Sequence, residues 1–159
     1  MVPSLTHESR SWFKWTPDFD FRFSYLSLDR TASPDRVLVG EYQSDTSLPI
    51  RMAQWELDYT NRKLKSSQAV WAQCVGIRSI QGAVQADGKV YISRSNGKDG
   101  AGDIFGWTPG TTAYENDGIV PRGTEDLSFD TRDGTVYGLT EYAGDRYLYF
   151  LDSSDIHFE

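Results

Sequence analysis

Two adjacent carboxylates, Glu125 and Asp126, stand near the head of GTEDLSFDTRDGTVYGLTEY, residues 123–142. Gln81 heads a comparable run, QGAVQAD at 81–87, and Glu41, Arg94 and Glu141 fall near the ends of three other short runs. Carboxylate and amide oxygens converging on one point suit a hard cation such as Ca²⁺, with Glu125 and Asp126 the first candidates for its ligands. Paired carboxylates also suit acid–base chemistry, although glycoside cleavage needs them roughly 5–10 Å apart. Glu41, Arg94 and Glu141 alternate in sign, which fits either a ring of ion pairs or contacts to a polar ligand. The plain reading of Glu125 and Asp126 is that they accept backbone N–H bonds near Gly123 and Thr124. Neighbours in a strand point to opposite faces, so only one of the two faces a common point unless the strand bulges.

Other chemistries find less support. Asn96, Asp99 and Asp103 in SRSNGKDGAGD lack the spacing of an EF-hand loop, and no Gly-Lys-Ser/Thr follows, so 93–103 reads as a long hairpin connection. There is no Gly-x-Ser-x-Gly elbow, and the two histidines, His7 and His157, lie near the ends of the chain, which argues against a serine hydrolase and Cys/His zinc sites. The single cysteine, Cys74, is expected to be a small buried hydrophobe. Five tryptophans (12, 15, 55, 71 and 107) suit sugar stacking where exposed; Trp55 and Trp107 recur at matching places and read as packing residues.

The elements that would position these groups are strands. The 159 residues suit one domain with a real core. They include 5 Trp, 9 Tyr, 8 Phe and 14 Gly, a mixture that favours pleated surfaces joined by tight turns. A net charge of −7 without a Lys/Arg cluster argues against nucleic acid as a partner. No apolar run reaches the ~20 residues of a membrane span, and MVPSLTHESRSWFKW has no apolar signal-peptide core.

The strands repeat. Runs starting at Val37, Val90 and Val136 each follow a turn signal, each is preceded by another alternating run (23–29, 81–87, 125–130), and each is followed by a third (50–58, 103–109, 145–152). Fourth strands are expected near 64–71 and 111–120, with none in the last unit. Units of this length predict an all-β, propeller-like array of about three four-stranded antiparallel blades, half of a six-bladed ring; a β-sandwich is the alternative. Residues 1–21 are expected to form an N-terminal segment, with 11–20 available to complete the last blade, and 22–159 a single β domain. Three blades cannot close a ring, so either a missing N-terminal half or a homodimer is expected to do so.

The stretches IQGAVQADGKVYISRSNGKDGAGDIFGW, PRGTEDLSFD and GTVYGLTEYAGDRYLYFLD, together with FSYLSLDRTASPDRVLVGEY and RMAQWELD upstream, resemble the C-terminal half of uncharacterised secreted actinobacterial β-propeller-like proteins. More loosely they are similar to six-bladed propellers of the gluconolactonase and strictosidine-synthase type. The resemblance implies a secreted protein and, in the looser group, a divalent metal on the central axis; no ligand position is carried over. The expected function is an extracytoplasmic binding module for a small polar or carbohydrate ligand at the axis or rim. Gln81, Glu125, Asp126, Glu41, Arg94 and Glu141 are its candidate contacts, and self-association would close it. The alternative is a metal- or carboxylate-assisted enzyme on the same axis, a lactone or glycoside hydrolase or a natural-product cyclase.

Overall fold

A computed structural model describes residues 16–45, 47–86 and 88–152. Among them the protein is all-β, with no α-helix, and the strands form three antiparallel meanders that do not close into a barrel. The first sheet runs β2 (Tyr25–Asp29), β3 (Arg36–Gly40), β4 (Ile50–Glu56) and β6 (Ala69–Val75). The second runs β7 (Ile80–Ala86), β8 (Lys89–Arg94), β9 (Gly102–Trp107) and β10 (Tyr114–Val120). The third has β11 (Thr124–Asp130), β12 (Thr135–Thr140) and β13 (Leu148–Asp152), one strand fewer. Three separate meanders are one sheet more than a sandwich has. The period-2 runs carry this order because a short turn returns each strand beside its predecessor.

The sheets stack through the alternate faces of equivalent strands. Val37, Val90 and Val136 are each the second residue of β3, β8 and β12. Val90 packs toward the first sheet with Leu38, Ile50, Met52 and Trp107, and Val136 packs toward the second with Val84, Tyr91 and Ile104. Leu38 and Tyr91, one residue on in their strands, face the following sheet. Trp107, 1% exposed, meets Trp71 edge-on with ring centroids 5.3 Å apart, and burying such a side chain contributes roughly 1.5–3 kcal/mol. The starting strands β2, β7 and β11 lie together, with β7 between the other two.

Three expectations are corrected. The described part of 11–20 does not complete the third sheet: β1 (Thr16–Pro17) pairs in parallel with β5 (Lys63–Leu64), and Phe19 stacks on Trp55 at 5.1 Å. Trp55 would otherwise lie bare on the outer face of the first sheet, and Phe19 and Phe21 cover it there. Cys74 is exposed on β6, the outermost strand of its sheet, where its alternation points it outward. The fourth strand of the first sheet also starts later than expected, at Ala69, after a short 3-10 turn at Ser66–Gln68. His7, His157, Trp12 and Trp15 lie outside the described residues.

Candidate functional site

The strand pattern brings the ends of β3, β8 and β12 to one end of the stack, beside the start of β7. There a cleft of about 510 Å³ is lined by Tyr42 from the first sheet, by Gln81 and Arg94 from the second, and by Glu141 and Tyr142 from the third. Its wall between the second and third sheets is shaped by two bulges. In β7 the register with β8 passes from Ile80↔Arg94 to Gly82↔Ser93, leaving Gln81 unpaired. In β11 the register with β12 passes from Thr124↔Thr140 to Leu127↔Gly138, so Glu125 and Asp126 together oppose Leu139. A bulge frees a strand residue from the ladder and re-aims its side chain.

The second and third sheets approach closely at these bulges. A Cβ on Gly82 would sit 2.6 Å from the Leu127 amide nitrogen and 2.8 Å from the Asp126 Cα, so only glycine fits there. The buried Ser93 hydroxyl donates to the Glu125 carbonyl at 2.9 Å, tying the third-sheet bulge to the second sheet. On the far side the Glu141 amide donates to the Gly123 carbonyl at 3.0 Å. Gly123 has φ of 71°, and a side chain there would run into the Tyr142 ring.

These constraints set Glu125 against Glu141. Burial, then the negative charge of Glu141 and a hydrogen bond to it, and last the charge of Asp126, push the Glu125 carboxyl up to about 7. A carboxyl that is half-buried beside a second negative charge keeps its proton to higher pH than a free one. Gln81 has no hydrogen-bond partner among the described residues, and its amide is free for a ligand in the cleft.

The other candidates separate. Arg94 lines the cleft but is paired with Asp103, donating from Nε at 2.9 Å, and lies over the Phe105 ring at 5.0 Å. Asn96 donates to the same Asp103 oxygen at 2.9 Å and to the Ala101 carbonyl at 2.8 Å, so 93–103 is a self-tied hairpin connection. Glu41 is buried beside a different cavity, of about 280 Å³, with Arg22 and Arg51. It accepts both Arg51 guanidinium nitrogens at 2.8 and 2.5 Å, and the Arg22 and Arg51 amides at 3.0 and 3.2 Å. Burial pulls the Glu41 carboxyl up, but the Arg51 and Arg22 hydrogen bonds outweigh it and leave it below the usual range. No ion-pair ring of Glu41, Arg94 and Glu141 forms, because each has a nearer partner: Arg51, Asp103 and Glu125.

Glu125 and Asp126 serve different neighbours. Asp126 lines a smaller cleft of about 220 Å³ between β2, β7 and β11, with Ser27, Gln85 and Ser128. It accepts the Leu127 amide at 3.0 Å, and thinned water in that recess moves its carboxyl up. The Gln85 amide oxygen is taken by the buried Gln54, and Asp126 and Asp29 are the acidic side chains that line this cleft. Ca²⁺ takes six to eight oxygens, and no three acidic, His or Cys side chains converge among the described residues. Trp55 and Trp107 are buried, and the aromatic rings at the main cleft are Tyr42 and Tyr142.

The chain matches no protein-family model, no curated protein and no solved structure. Among the described residues no helix is long and apolar enough to cross a membrane. Sequence reasoning did not reach the Glu125–Glu141 contact, the Arg51 clamp on Glu41 or the Ser93 bond to Glu125. The recurring Glu-Tyr pairs were the signal for the first, since they mark two strand ends of the same kind.

Proposed function

We propose that the protein is a propeller-type, extracytoplasmic binding module that holds a small polar ligand of carbohydrate class in the cleft at the ends of β3, β8 and β12. The observation that carries the reading is the cleft that gathers the Gln81 amide, Glu141 and Arg94 from two sheets, with the Glu125 carboxyl, raised to about 7, close to Glu141. A protonated carboxyl donates, a carboxylate accepts, and an amide does both, which matches the mixed demands of adjacent sugar hydroxyls. Tyr42 and Tyr142 offer ring faces for the apolar side of a sugar. Arg94 adds charge at the rim while held by Asp103. Three meanders packed in series, with their starting strands together, suit the propeller reading and leave ring closure to further sheets.

The test is calorimetric titration with a panel of mono- and disaccharides at pH 6 and pH 8. Binding that weakens at pH 8, and is lost in Gln81→Ala, is expected; binding that ignores both pH and Gln81 would remove the cleft from the reading. Calcium is tested on the same pair. Ca²⁺ bound there would displace the proton that Glu125 holds at pH 6, so titration would release protons, and absence of heat or proton release removes the cation.

A carboxyl titrating near 7 also favours a second reading, acid–base catalysis on a lactone or related substrate. Turnover that falls at least a hundredfold in Glu125→Gln would select it over binding alone, and no turnover in the wild type would discard it.

A further inference from the structure

The faces through which the three sheets pack leave one matching face open at each end of the stack. We propose that a second copy of the chain closes onto these faces, the third sheet of each copy packing against the first sheet of the other, head to tail. The inference rests on the propeller reading above and goes on to name the surfaces.

The repeat registers make the match position by position. Leu38, Tyr91 and Tyr137 are each the third residue of β3, β8 and β12. Leu38 and Tyr91 are buried against the following sheet, at 1% and 3% exposure, whereas Tyr137 is 38% exposed. Tyr137 is cross-strand from Phe150, and Leu139 from Leu148, so one face of the third sheet presents four large apolar side chains in register. Phe150 and Leu148 are 72% and 74% exposed. Contiguous apolar surface of this kind on a sheet face marks an interaction site.

The first sheet carries the counterpart. Leu26 opposes Val39 and Leu28 opposes Val37. The equivalent residues are Ala83 and Gln85 in β7, and Leu127 and Phe129 in β11, by the same cross-strand pairing. Ala83 packs toward the preceding sheet, as do Leu127 and Phe129. Leu26 and Leu28 have no preceding sheet and are exposed. Phe19 and Phe21 cover the outer part of that face but leave the β2 edge free. The two open faces are thus the two halves of the interface that the molecule already makes twice internally. One chain carries both, so two chains close on each other through two equal contacts, with six sheets in the ring.

The experiment is sedimentation equilibrium on the wild type, on Phe150→Glu (third sheet) and on Leu26→Glu (first sheet), alone and mixed. The wild type is expected at twice 18.0 kDa. Each variant alone is expected to weaken association at least tenfold. In an equimolar mixture the mixed pair has one intact contact and one that carries both glutamates, so it is expected to associate more weakly than the wild type; a mixture with wild-type affinity overturns the two-contact ring. A wild type still monomeric at about 100 µM, a hundredfold above a Kd of about 1 µM, overturns the proposal. So does a Leu26→Glu variant that dimerises like the wild type, which would mean that third sheets pair face to face. If either variant misfolds, hydroxyl-radical footprinting of the wild type decides: protection of Tyr137 and Phe150 on concentration supports the contact, and equal reactivity at all concentrations overturns it. Saccharide titration of the same samples reports on the cleft separately, so a failed ring and a failed ligand site are told apart.

Discussion

The first and third sheets each carry a glutamate near a strand end, Glu41 just after β3 and Glu125 at the start of β11, and the two are held in opposite ways. Glu41 sits under an arginine fork and two backbone amides, with its carboxyl held below the usual range. Glu125 meets another carboxyl, and its own is raised to about 7. The difference comes from what each strand end faces. Glu41 looks along its own sheet toward β4, where Arg51 is the second residue. Glu125 stands on a bulge aimed at the end of β12, where the next polar group is Glu141. An ion pair with every acceptor site used holds a fold together; a carboxyl that keeps its proton beside a second acid has unsatisfied capacity left for a ligand.

The comparison breaks most sharply at Glu41. Replacing it with alanine leaves the Arg22 and Arg51 amides and a guanidinium without their acceptor, at an expected cost of about 1–3 kcal/mol in urea unfolding. Glu125→Gln is expected to cost much less, because an amide reproduces the protonated carboxyl. Equal losses at both positions would mean that Glu125 is also a structural clamp.

The two sites also impose opposite pH slopes. A carboxyl lowered in the fold contributes stability above its unfolded value, lost as pH falls through the folded one, so the Glu41 contribution disappears in acid. A carboxyl raised from 4.5 to about 7 contributes stability that is complete below 4.5 and lost as pH rises to about 7. Stability of the wild type should therefore decline across that window, and Glu125→Gln should flatten the decline while leaving the acid limb in place. A window that stays sloped in Glu125→Gln assigns the proton elsewhere.

A narrower measurement separates the causes at Glu125. Burial is the largest, so removing the partner charge in Glu141→Gln should lower the Glu125 midpoint below 7 without returning it to 4.5. Carbon-13 titration of the Glu125 carboxyl reads this directly. A midpoint unmoved by Glu141→Gln would dissolve the pair.

Much of the fold was legible because its signals are local. The alternation around Val37, Val90 and Val136 and the turn residues between runs mark nine of the strands within a few residues. The site was legible only in part. Gln81 was read with Glu125 and Asp126 at strand entries, and Arg94 with Glu41 and Glu141 at strand ends; Gln81, Arg94 and Glu141 line one cleft, and Glu41 lines another. What failed was partner choice. Whether Glu41 meets Arg51 or Arg94 depends on side-chain direction at a strand end, and the Glu125–Glu141 contact depends on a bulge. A bulge costs one residue of register and leaves no mark in a period-2 pattern. The segment 16–21 was misplaced for a related reason: an open sheet edge and an uncovered Trp55 both call for partners, and the alternation of strands does not rank the two.

The smallest effect tests the same two sheets through their tyrosines. Tyr25 lies over Gly40 and Tyr149 over Gly138, and a Cβ on either glycine would overlap the ring, so in both sheets an aromatic covers a bare strand. The hydroxyls differ. The Tyr149 hydroxyl bonds the buried Thr124 at the start of β11, whereas the Tyr25 hydroxyl is buried without a partner. Tyr149→Phe should therefore cost about 0.5–1.5 kcal/mol, the ordinary worth of a lost hydrogen bond. Tyr25→Phe removes an unsatisfied polar atom and should be neutral or slightly stabilising in the same unfolding assay. The Thr124 bond anchors the strand that carries Glu125, so Tyr149→Phe should also shift the Glu125 midpoint while Tyr25→Phe leaves it alone. A reversal of the two costs would mean that the third sheet owes its site geometry to ring packing over Gly138 rather than to the hydroxyl.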